Sequence, residues 1–397
     1  MSDSQARELD SIPYIWIDSD SRLEQCVTRW KKEPYLIVDT EFERSTTYFA
    51  KAGLVQVAAA GKTYLLDPFG FSSLRPLAAV LEDPNVEVVL HSMSEDIDLL
   101  SHLCDCSITS VFDTQIAAAF LGLGLSVGYQ RLVEMVLDIS LDKGETRSDW
   151  LRRPLSKKQL HYAAADVFYL EDIYKQLREK LETSEWLAAV LEDCKRQVSA
   201  IENSASDPSL AYLKLRGAWD LPVDRQAVLS RLTEWRDTKA IAENIPKSWV
   251  FSDAQLIEVA RNLPESHGPL YKLPKAKPKS VRRFGDELLS QLEGIKVWLG
   301  GENGQLNTAE ISKDFKLVER PIKGKELEFY KKIKKMVAIQ ASEAGIDPQL
   351  IAGRKLMEAW VIRLYRDRDC SLPETVLGWR EPLIGEQLLA LASDLPR

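Results

Sequence analysis

The sequence lacks the features that mark exported, membrane-spanning or zinc-dependent proteins. The first 20 residues, MSDSQARELDSIPYIWIDSD, contain acidic residues and no apolar core, so we expect no secretory signal. The longest uncharged run, Thr114–Gln130, is too short and too rich in glycine to span a bilayer. The five cysteines show no repeated pair spacing, which predicts free thiols in a reducing cytosol. The four histidines form no ligand cluster that would hold zinc.

Acidic residues outnumber basic ones overall, but positive charge is concentrated in one segment. The formal net charge of −8 argues at first against a nucleic-acid partner. Between His267 and Gln340, however, there are 16 lysines and arginines and 9 acidic residues, so this segment carries +7 and the rest of the chain −15. Within it, KLPKAKPKSVRR at 272–283 has six bases and no acid. This run predicts either a solvated linker or an arm that faces nucleic acid.

The first half of the chain has the pattern of an α/β domain. With 397 residues, the chain has room for two or three domains. Helical periodicity at 92–103, at 113–122 and from Ser156 to about Thr183 alternates with short β-branched segments, which predicts a mixed sheet flanked by helices. Gly61 alone separates two of the predicted strands, which indicates a hairpin. The predicted strands are Tyr35–Asp39, Leu54–Ala60, Lys62–Asp67, Val86–His91 and 107–112.

Beyond about residue 203 the strand pattern disappears. The segments at 225–244 and 252–262 have apolar residues at helical spacing, and GGENGQLN at 300–307 predicts a loop before a second helical block. We therefore place boundaries near residues 205 and 292. The three predicted domains are 1–205, 206–292 and 293–397.

The segment VDTEF places two carboxylates at the end of a predicted apolar strand. Asp39 and Glu41 are two residues apart, so both point to the same face of the strand. Two carboxylates at close range repel unless a cation lies between them, and carboxylate oxygens suit hard ions such as Mg²⁺ or Mn²⁺. The alternative is a pair of acids at a solvated strand end.

A third acid, Asp96, lies in the first turn of the helix that follows HSMSEDID. Acids are common at this position because they complement the helix dipole, which is the alternative interpretation. Glu95 and Asp98 are competing candidates on other faces of the helix.

The segment HYAAAD combines a fourth acid with two candidate partners on one helix. Tyr162 precedes Asp166 by four residues and shares its face, whereas His161 precedes it by five and lies about 140° away. The alternative is an amphipathic helix whose tyrosine packs in the core. Two classes of metal-dependent nuclease differ in whether this tyrosine or this histidine accompanies the last acid.

Together these motifs make the pattern that phosphodiester hydrolysis requires. Four carboxylates can hold two divalent ions about 4 Å apart, and a tyrosine can orient or deprotonate the attacking water. The candidate set is Asp39, Glu41, Asp96, Asp166 and Tyr162.

The same motifs resemble the DEDD exonuclease superfamily in its tyrosine branch. Over about residues 12–200 the similarity to the bacterial ribonuclease D family is specific, and it rests on DTEFERSTTYFAKAGLVQVA, LHSMSEDIDLL, FDTQIAAAFLG and WLRRPLSKKQLHYAAADVFYL. The resemblance implies a ribonuclease-H-like fold and 3′→5′ removal of nucleotides from RNA. It also implies that Tyr162 positions the water and that the four acids bind the metal ions. Because WLRRPLS belongs to the tyrosine branch, we expect His161 to be incidental.

The helical half resembles HRDC domains, which usually grip nucleic acid. YLKLRGAWDLPVDRQAVLSRLTEWRD and IPKSWVFSDAQLIEVARNLP are similar to one copy, and GIDPQLIAGR and GWREPLIGEQL to a second, more divergent copy. Aromatic side chains near the motifs, Phe42, Tyr48 and Trp150, are candidates for base stacking, with core packing as the alternative. We expect Phe42 and the basic run to contact RNA; the basic residues are Lys272, Lys275, Lys277, Lys279, Arg282 and Arg283.

The sequence thus predicts a cytoplasmic, monomeric 3′→5′ exoribonuclease with two divalent metal ions. It would release nucleoside 5′-monophosphates from RNA, with tRNA precursors that carry 3′ tails as the expected substrates and no membrane partner. Two alternatives are a non-catalytic RNA-binding protein on a nuclease scaffold and a DNA 3′→5′ exonuclease.

Overall fold

The structure, a computed structural model, describes residues 12–141, 144–145, 147–206, 208–298, 300 and 315–395. Apart from Gly300, the predicted loop at 300–307 lies outside these residues. The chain forms two units, of which the first comprises Met1–Glu43, Lys51–Glu202 and Lys323–Arg397. The second comprises Arg44–Ala50 and Asn203–Ile322. Within the described part of the chain, no helix combines the length and the apolar character needed to cross a membrane.

A six-stranded mixed sheet forms the centre of the first unit. The strands are β1 (Tyr14–Ile17), β2 (Tyr35–Glu43), β3 (Lys51–Ala59), β4 (Lys62–Leu66), β5 (Glu87–Leu90) and β6 (Val111–Asp113). They lie in the order β1-β4-β3-β2-β5-β6. Strands β2, β3 and β4 are antiparallel, whereas β1 pairs parallel to β4, β5 to β2 and β6 to β5. The predicted hairpin around Gly61 is confirmed as the β3–β4 pair.

Within the described residues, seven helices share a hydrophobic core with this sheet. They are α1 (Asp20–Trp30), α2 (Ala78–Leu81), α3 (Ser94–Cys104), α4 (Thr114–Phe120), α5 (Tyr129–Leu137), α6 (Lys157–Glu182) and α7 (Leu187–Ser206). Helix α6 begins with a capping box in which Ser156 and Gln159 satisfy each other's backbone N–H groups. Its three consecutive alanines, 163–165, are buried, so the helix backbone lies close to the elements beneath it.

The second unit is mainly helical in its described part, apart from segments 44–50 and 315–322. Its helices are α8 (Val223–Ala242), α9 (Lys247–Val250), α10 (Asp253–Asn262), α11 (His267–Lys272) and α12 (Pro278–Trp298). Their apolar faces form one core that includes Leu229, Phe251, Leu256 and Leu288. Helix α12 continues through residue 292, where we placed a domain boundary, because apolar residues at helical spacing extend to Ile295.

The C-terminal helices belong to the first unit. They are α13 (Lys325–Ala344), α14 (Pro348–Ile351), α15 (Arg354–Asp367) and α16 (Glu381–Ser393). The Trp379 ring lies 5.1 Å from Phe120 and 5.9 Å from Trp186, measured between centroids. The neighbouring Arg380 forms a bidentate ion pair with Asp193 at 2.6 and 2.7 Å. These contacts join the end of the chain to α4 and α7.

The predicted fold class, a mixed sheet flanked by helices and followed by helices, is confirmed. Two details were wrong. Strand β1 was not predicted, and β2 does not end at Asp39 but continues to Glu43, because it keeps pairing with β3 as far as Lys51.

Candidate active site

Strand β2 extends beyond one of its two neighbours, and the first two acids lie on this extension. It pairs with β3 from Ile37 to Glu43 but with β5 only from Tyr35 to Ile37. Asp39 and Glu41 therefore lie where one side of the strand has no strand partner. The register shifts between Glu41 and Phe42, and such a bulge bends a strand and re-aims its side chains.

Asp96 is held beside β2 by a hydrogen bond to a strand residue. It lies in the first turn of α3, and only 8% of the residue is exposed. The Thr40 hydroxyl donates a short hydrogen bond to its Oδ1. Repulsion by Asp39 contributes to raising the pKa of Asp96, so the two carboxylates are close enough to interact.

The turn that leads into α3 is fixed by Asp113, a residue to which sequence reasoning gave no role. Its carboxylate accepts hydrogen bonds from the backbone N–H groups of Ser92 at 3.1 Å, Met93 at 2.9 Å and Gln115 at 2.7 Å. Asp113 is 1% exposed and caps α4, while Ser92 adopts a left-handed φ of 63°. Asp113 thus joins β6 to the start of α3 and so positions Asp96. Its position before TQIAAA indicates a helix N-cap, which the sequence alone could have predicted. Its hydrogen bonds to Ser92 and Met93 link residues about 20 positions apart, which the sequence could not have predicted.

Helix α6 brings Asp166 and Tyr162 to the carboxylates of Asp39 and Glu41. One carboxylate oxygen each from Asp39, Glu41 and Asp166 lie within 4.8 Å of one another. The Tyr162 hydroxyl hydrogen-bonds to the Asp166 carboxylate. His161, one position earlier, is half-buried, and among the described residues it makes no hydrogen bond or ion pair.

The segment before α6 packs against Tyr162 through Trp150. The two ring centroids are 6.1 Å apart, and Trp150 is 3% exposed in a small core, which is the core-packing alternative for this residue. Arg153 holds the segment in place with bonds to Asp67 at 2.6 and 2.9 Å, to the Gly53 carbonyl at 2.7 Å and to the Trp150 carbonyl at 2.9 Å. A Cβ at Gly53 would lie 2.7 Å from that of Trp150, so only glycine fits there.

The four acids repel one another at a site where Asp96 and Asp166 are buried and Asp39 and Glu41 are half-buried. Burial is the largest cause that raises the pKa of each carboxyl. Burial and repulsion from the other three acids raise the pKa of Glu41 to about 10. Asp166 adds to the rise at Asp39, while the hydrogen bond from Tyr162 works in the opposite direction at Asp166. The cluster therefore binds protons or other cations strongly.

The donor set fits hard divalent cations. Among the described residues, no lysine, arginine or histidine contributes to the pKa shifts of the four acids, so no side-chain cation neutralises them. Gln56 lies opposite Asp39 on β3, and its buried amide has no hydrogen-bond partner among those residues. Carboxylate oxygens without a basic partner are the ligands that Mg²⁺ and Mn²⁺ prefer. Asp39, Glu41, Asp96 and Asp166 could hold such ions.

The predicted RNA contacts lie on both units. Phe42 is half-buried in β2, and Tyr48 packs against the core of the second unit. Arg283 forms an ion pair with Glu243 at 2.6 Å, which leaves it less available to a phosphate than its neighbours. All six predicted bases are exposed: Lys272, Lys275, Lys277, Lys279, Arg282 and Arg283.

Family models match three parts of the chain. Residues 14–182 match the 3′–5′ exonuclease model. All four acids and Tyr162 lie within this range. Residues 225–292 match the HRDC domain, and residues 327–388 match the C-terminal HRDC domain of ribonuclease D.

Similarity to ribonuclease D proteins of several bacteria extends over nearly the whole chain. Ribonuclease D of Pseudomonas paraeruginosa is 36% identical over 374 residues, which cover 94% of this chain and 96% of that protein. Ribonuclease D of Escherichia coli is 32% identical over 387 residues, 97% of this chain and 100% of that protein. The chain belongs to the ribonuclease D family. As a ribonuclease D family member, it is a 3′→5′ exoribonuclease.

Solved structures agree with this assignment. The crystal structure of E. coli ribonuclease D matches this family member with a TM-score of 0.86 at 30% identity, covering 97% of this chain and 100% of that chain. The catalytic core of RRP6 from Trypanosoma brucei, at 23% identity and a TM-score of 0.54, shares the fold. The sequence-based recognition of the family and of its HRDC domains is confirmed.

Proposed function

We propose that this ribonuclease D family member releases nucleoside 5′-monophosphates one at a time from RNA 3′ ends by two-metal-ion hydrolysis. The observation that carries the proposal is the cluster of two buried and two half-buried acids with raised pKa values and no basic partner among the described residues. Asp39, Glu41, Asp96 and Asp166 would hold two Mg²⁺ or Mn²⁺ ions.

Each protein group has a role in the reaction. Bound divalent ions would supply Lewis-acid stabilisation of the phosphate and lower the pKa of a water. The Tyr162 hydroxyl, held by Asp166, orients the attacking water. The water oxygen bonds to the terminal phosphorus and the bond from phosphorus to the 3′ oxygen of the preceding nucleotide breaks. The water loses one proton and the leaving 3′ oxygen gains one. The products are a nucleoside 5′-monophosphate and an RNA chain that ends in a 3′-hydroxyl.

We further propose that the substrates are tRNA precursors with 3′ tails, and that the protein acts as a monomer in the cytoplasm. The E. coli enzyme of the same fold is an exoribonuclease involved in structured RNA processing, which supports a structured precursor. The exposed bases between Lys272 and Arg283, with Phe42, are proposed to contact the RNA, since lysines and arginines bind phosphates without reading sequence.

Two substitutions test the metal site. Asp39→Asn and Asp166→Asn each remove one ionisable oxygen from the cluster with little change of shape. Either variant, incubated with a 3′-tailed tRNA precursor and Mg²⁺, should trim at least about 100-fold more slowly than the wild type. Unchanged trimming by either variant would exclude the metal assignment. Parallel reactions on RNA and DNA of one sequence test the substrate class, since a DNA exonuclease would prefer the strand without the 2′-hydroxyl.

A further inference from the structure

A concave surface of the second unit combines an exposed tryptophan with basic side chains. It lies between residues 214–220, the α10 helix and residue 275, and encloses about 750 Å³, within the range of ligand sites. We call it the Trp219 concavity, and its principal lining residues are Lys214, Arg216, Trp219, Asp220, Arg261 and Lys275.

The backbone holds Trp219 outward. The residue is 42% exposed, while Ala218 and Leu221 on either side of the short turn are buried in the core of the unit. Gly217 begins the turn with a φ of 88°, a left-handed value that favours glycine. The turn is thus anchored by its small and aliphatic residues, and the indole offers a flat stacking surface to a ligand.

The acids of the concavity are already paired with arginines. Asp253 accepts a 2.5 Å hydrogen bond from the buried Arg236. Asp220 and Glu258 lie 3.5 and 3.8 Å from Arg261.

Three lining cations remain. Within the described part of the chain, Lys214, Arg216 and Lys275 form no ion pair with a carboxylate. All three are exposed, and Lys275 has a left-handed φ of 62°. Asp220 and Glu258 share the single charge of Arg261, so they offset part of this excess, but the lining stays net positive beside an exposed indole. This combination fits an anionic ligand that carries a flat ring.

A second groove of the unit lacks this combination. Trp298, 43% exposed, lines it between α8 and α12. There Lys239 bridges to Glu287 at 2.8 Å, and Arg231 pairs with Glu234 at 3.4 Å. Its tryptophan is as accessible as Trp219, but these two cations are neutralised, so Trp298 provides a matched control.

We propose that the Trp219 concavity binds an unpaired nucleotide of single-stranded RNA. The base stacks on Trp219, and the adjoining phosphates contact Lys214, Arg216 and Lys275. Stacking on an aromatic face is tolerant of sequence, and phosphate contacts carry no base information, so the site suits an enzyme that trims varied 3′ tails. The inference rests on the proposed function only for the identity of the RNA as substrate.

The test measures binding separately from trimming. The full-length protein, in EDTA, is titrated into a short fluorescent single-stranded RNA whose integrity is checked on a gel. Trp219→Ala should raise the dissociation constant about tenfold. Trp219→Phe should raise it less than about threefold because it keeps a stacking face, and Trp298→Ala should raise it less than about twofold. Equal affinity of Trp219→Ala and wild type, or equal weakening by Trp298→Ala, would overturn the proposal.

Salt dependence tests the phosphate contacts. Replacing Lys214, Arg216 and Lys275 together by glutamine should make the slope of log affinity against log salt shallower by about 2, since each single-strand phosphate contact contributes roughly 0.7. An unchanged slope contradicts the assignment of these cations. If Trp219→Ala binds normally while Asp39→Asn fails to trim, this inference fails and the proposed function stands. If Trp219→Ala binds weakly while Asp39→Asn trims normally, the proposed metal site fails and this inference stands.

Discussion

Replacing the ionisable Glu41 by neutral glutamine should make the metal-free protein more stable. The pKa of Glu41 is raised from 4.5 to about 10 by burial and by the other three acids. Below pH 4.5 the carboxyl is protonated in both folded and unfolded chains, so it makes no difference to stability. Between the two pKa values only the folded state keeps the proton, and the free energy of unfolding falls as the pH rises. Glu41→Gln is neutral at every pH and escapes this loss.

The size of the effect follows from the width of that pH window. At pH 7.5 the wild type has lost about 4 kcal/mol relative to pH 4.5, at about 1.4 kcal/mol for each pH unit. Glu41→Gln should recover most of it, which corresponds to roughly 8 °C in melting temperature for a unit of this size. The advantage should grow by about 3 kcal/mol between pH 6.0 and 8.5. Mg²⁺ should reverse the order, because only the wild type offers the full set of ligands, and binding to the folded state stabilises it.

Thermal and urea unfolding in EDTA, followed by circular dichroism, measure these differences. Glu95→Gln is the matched control: this acid is exposed on the same first turn as Asp96, so its replacement should change stability by less than about 0.5 kcal/mol. A Glu41→Gln variant no more stable than wild type at pH 8.5, or a difference that does not grow with pH, would refute the account of the cluster as electrostatically strained.

Two further substitutions test how the site is held. Tyr162→Phe keeps the ring against Trp150 but removes the hydroxyl that bonds to Asp166, so kcat should fall about 100-fold while RNA affinity stays within about twofold. His161→Ala should change kcat by less than about twofold. Single-turnover trimming and binding measurements check both, and the reverse result would show that the histidine takes part in the reaction. Asp113→Ala leaves the N–H groups of Ser92 and Met93 unpaired, so the free energy of unfolding in urea should fall by about 2–4 kcal/mol; a loss below 0.5 kcal/mol would contradict its role in holding the turn before α3.

Local patterns in the sequence were sufficient to predict which side chains of the site lie together within one strand or one helix. Asp39 and Glu41 share a face because a strand alternates its side chains, and Tyr162 lies beside Asp166 because four residues complete about one helical turn. The three alanines between them are all buried, in keeping with small side chains on a closely packed helix. These relations depend only on residue spacing.

Contacts between distant parts of the chain could not be predicted in this way. Strand β1 has only four residues and pairs at the sheet edge with β4, and no periodicity can be recognised in so short a segment. Arg153 reaches Asp67 across 86 positions, and Asp113 reaches Ser92 across 21. An arginine in a loop or an acid before a helix is common, so only the folded structure shows which partner each one has.

Long-range contacts hold the elements that carry the four acids. The four acids come from three elements, and a different long-range contact holds each element. Strand β2 is held by its pairing with β3, α3 by Asp113, and the start of α6 by Arg153 and Trp150 in the segment before it. The acids themselves oppose folding in the absence of a cation, so the surrounding core and these contacts must outweigh their repulsion. Substitutions within the cluster should therefore exchange activity for stability, whereas substitutions in the supporting contacts should lower both. Comparing Glu41→Gln with Asp113→Ala in one unfolding series separates these two classes.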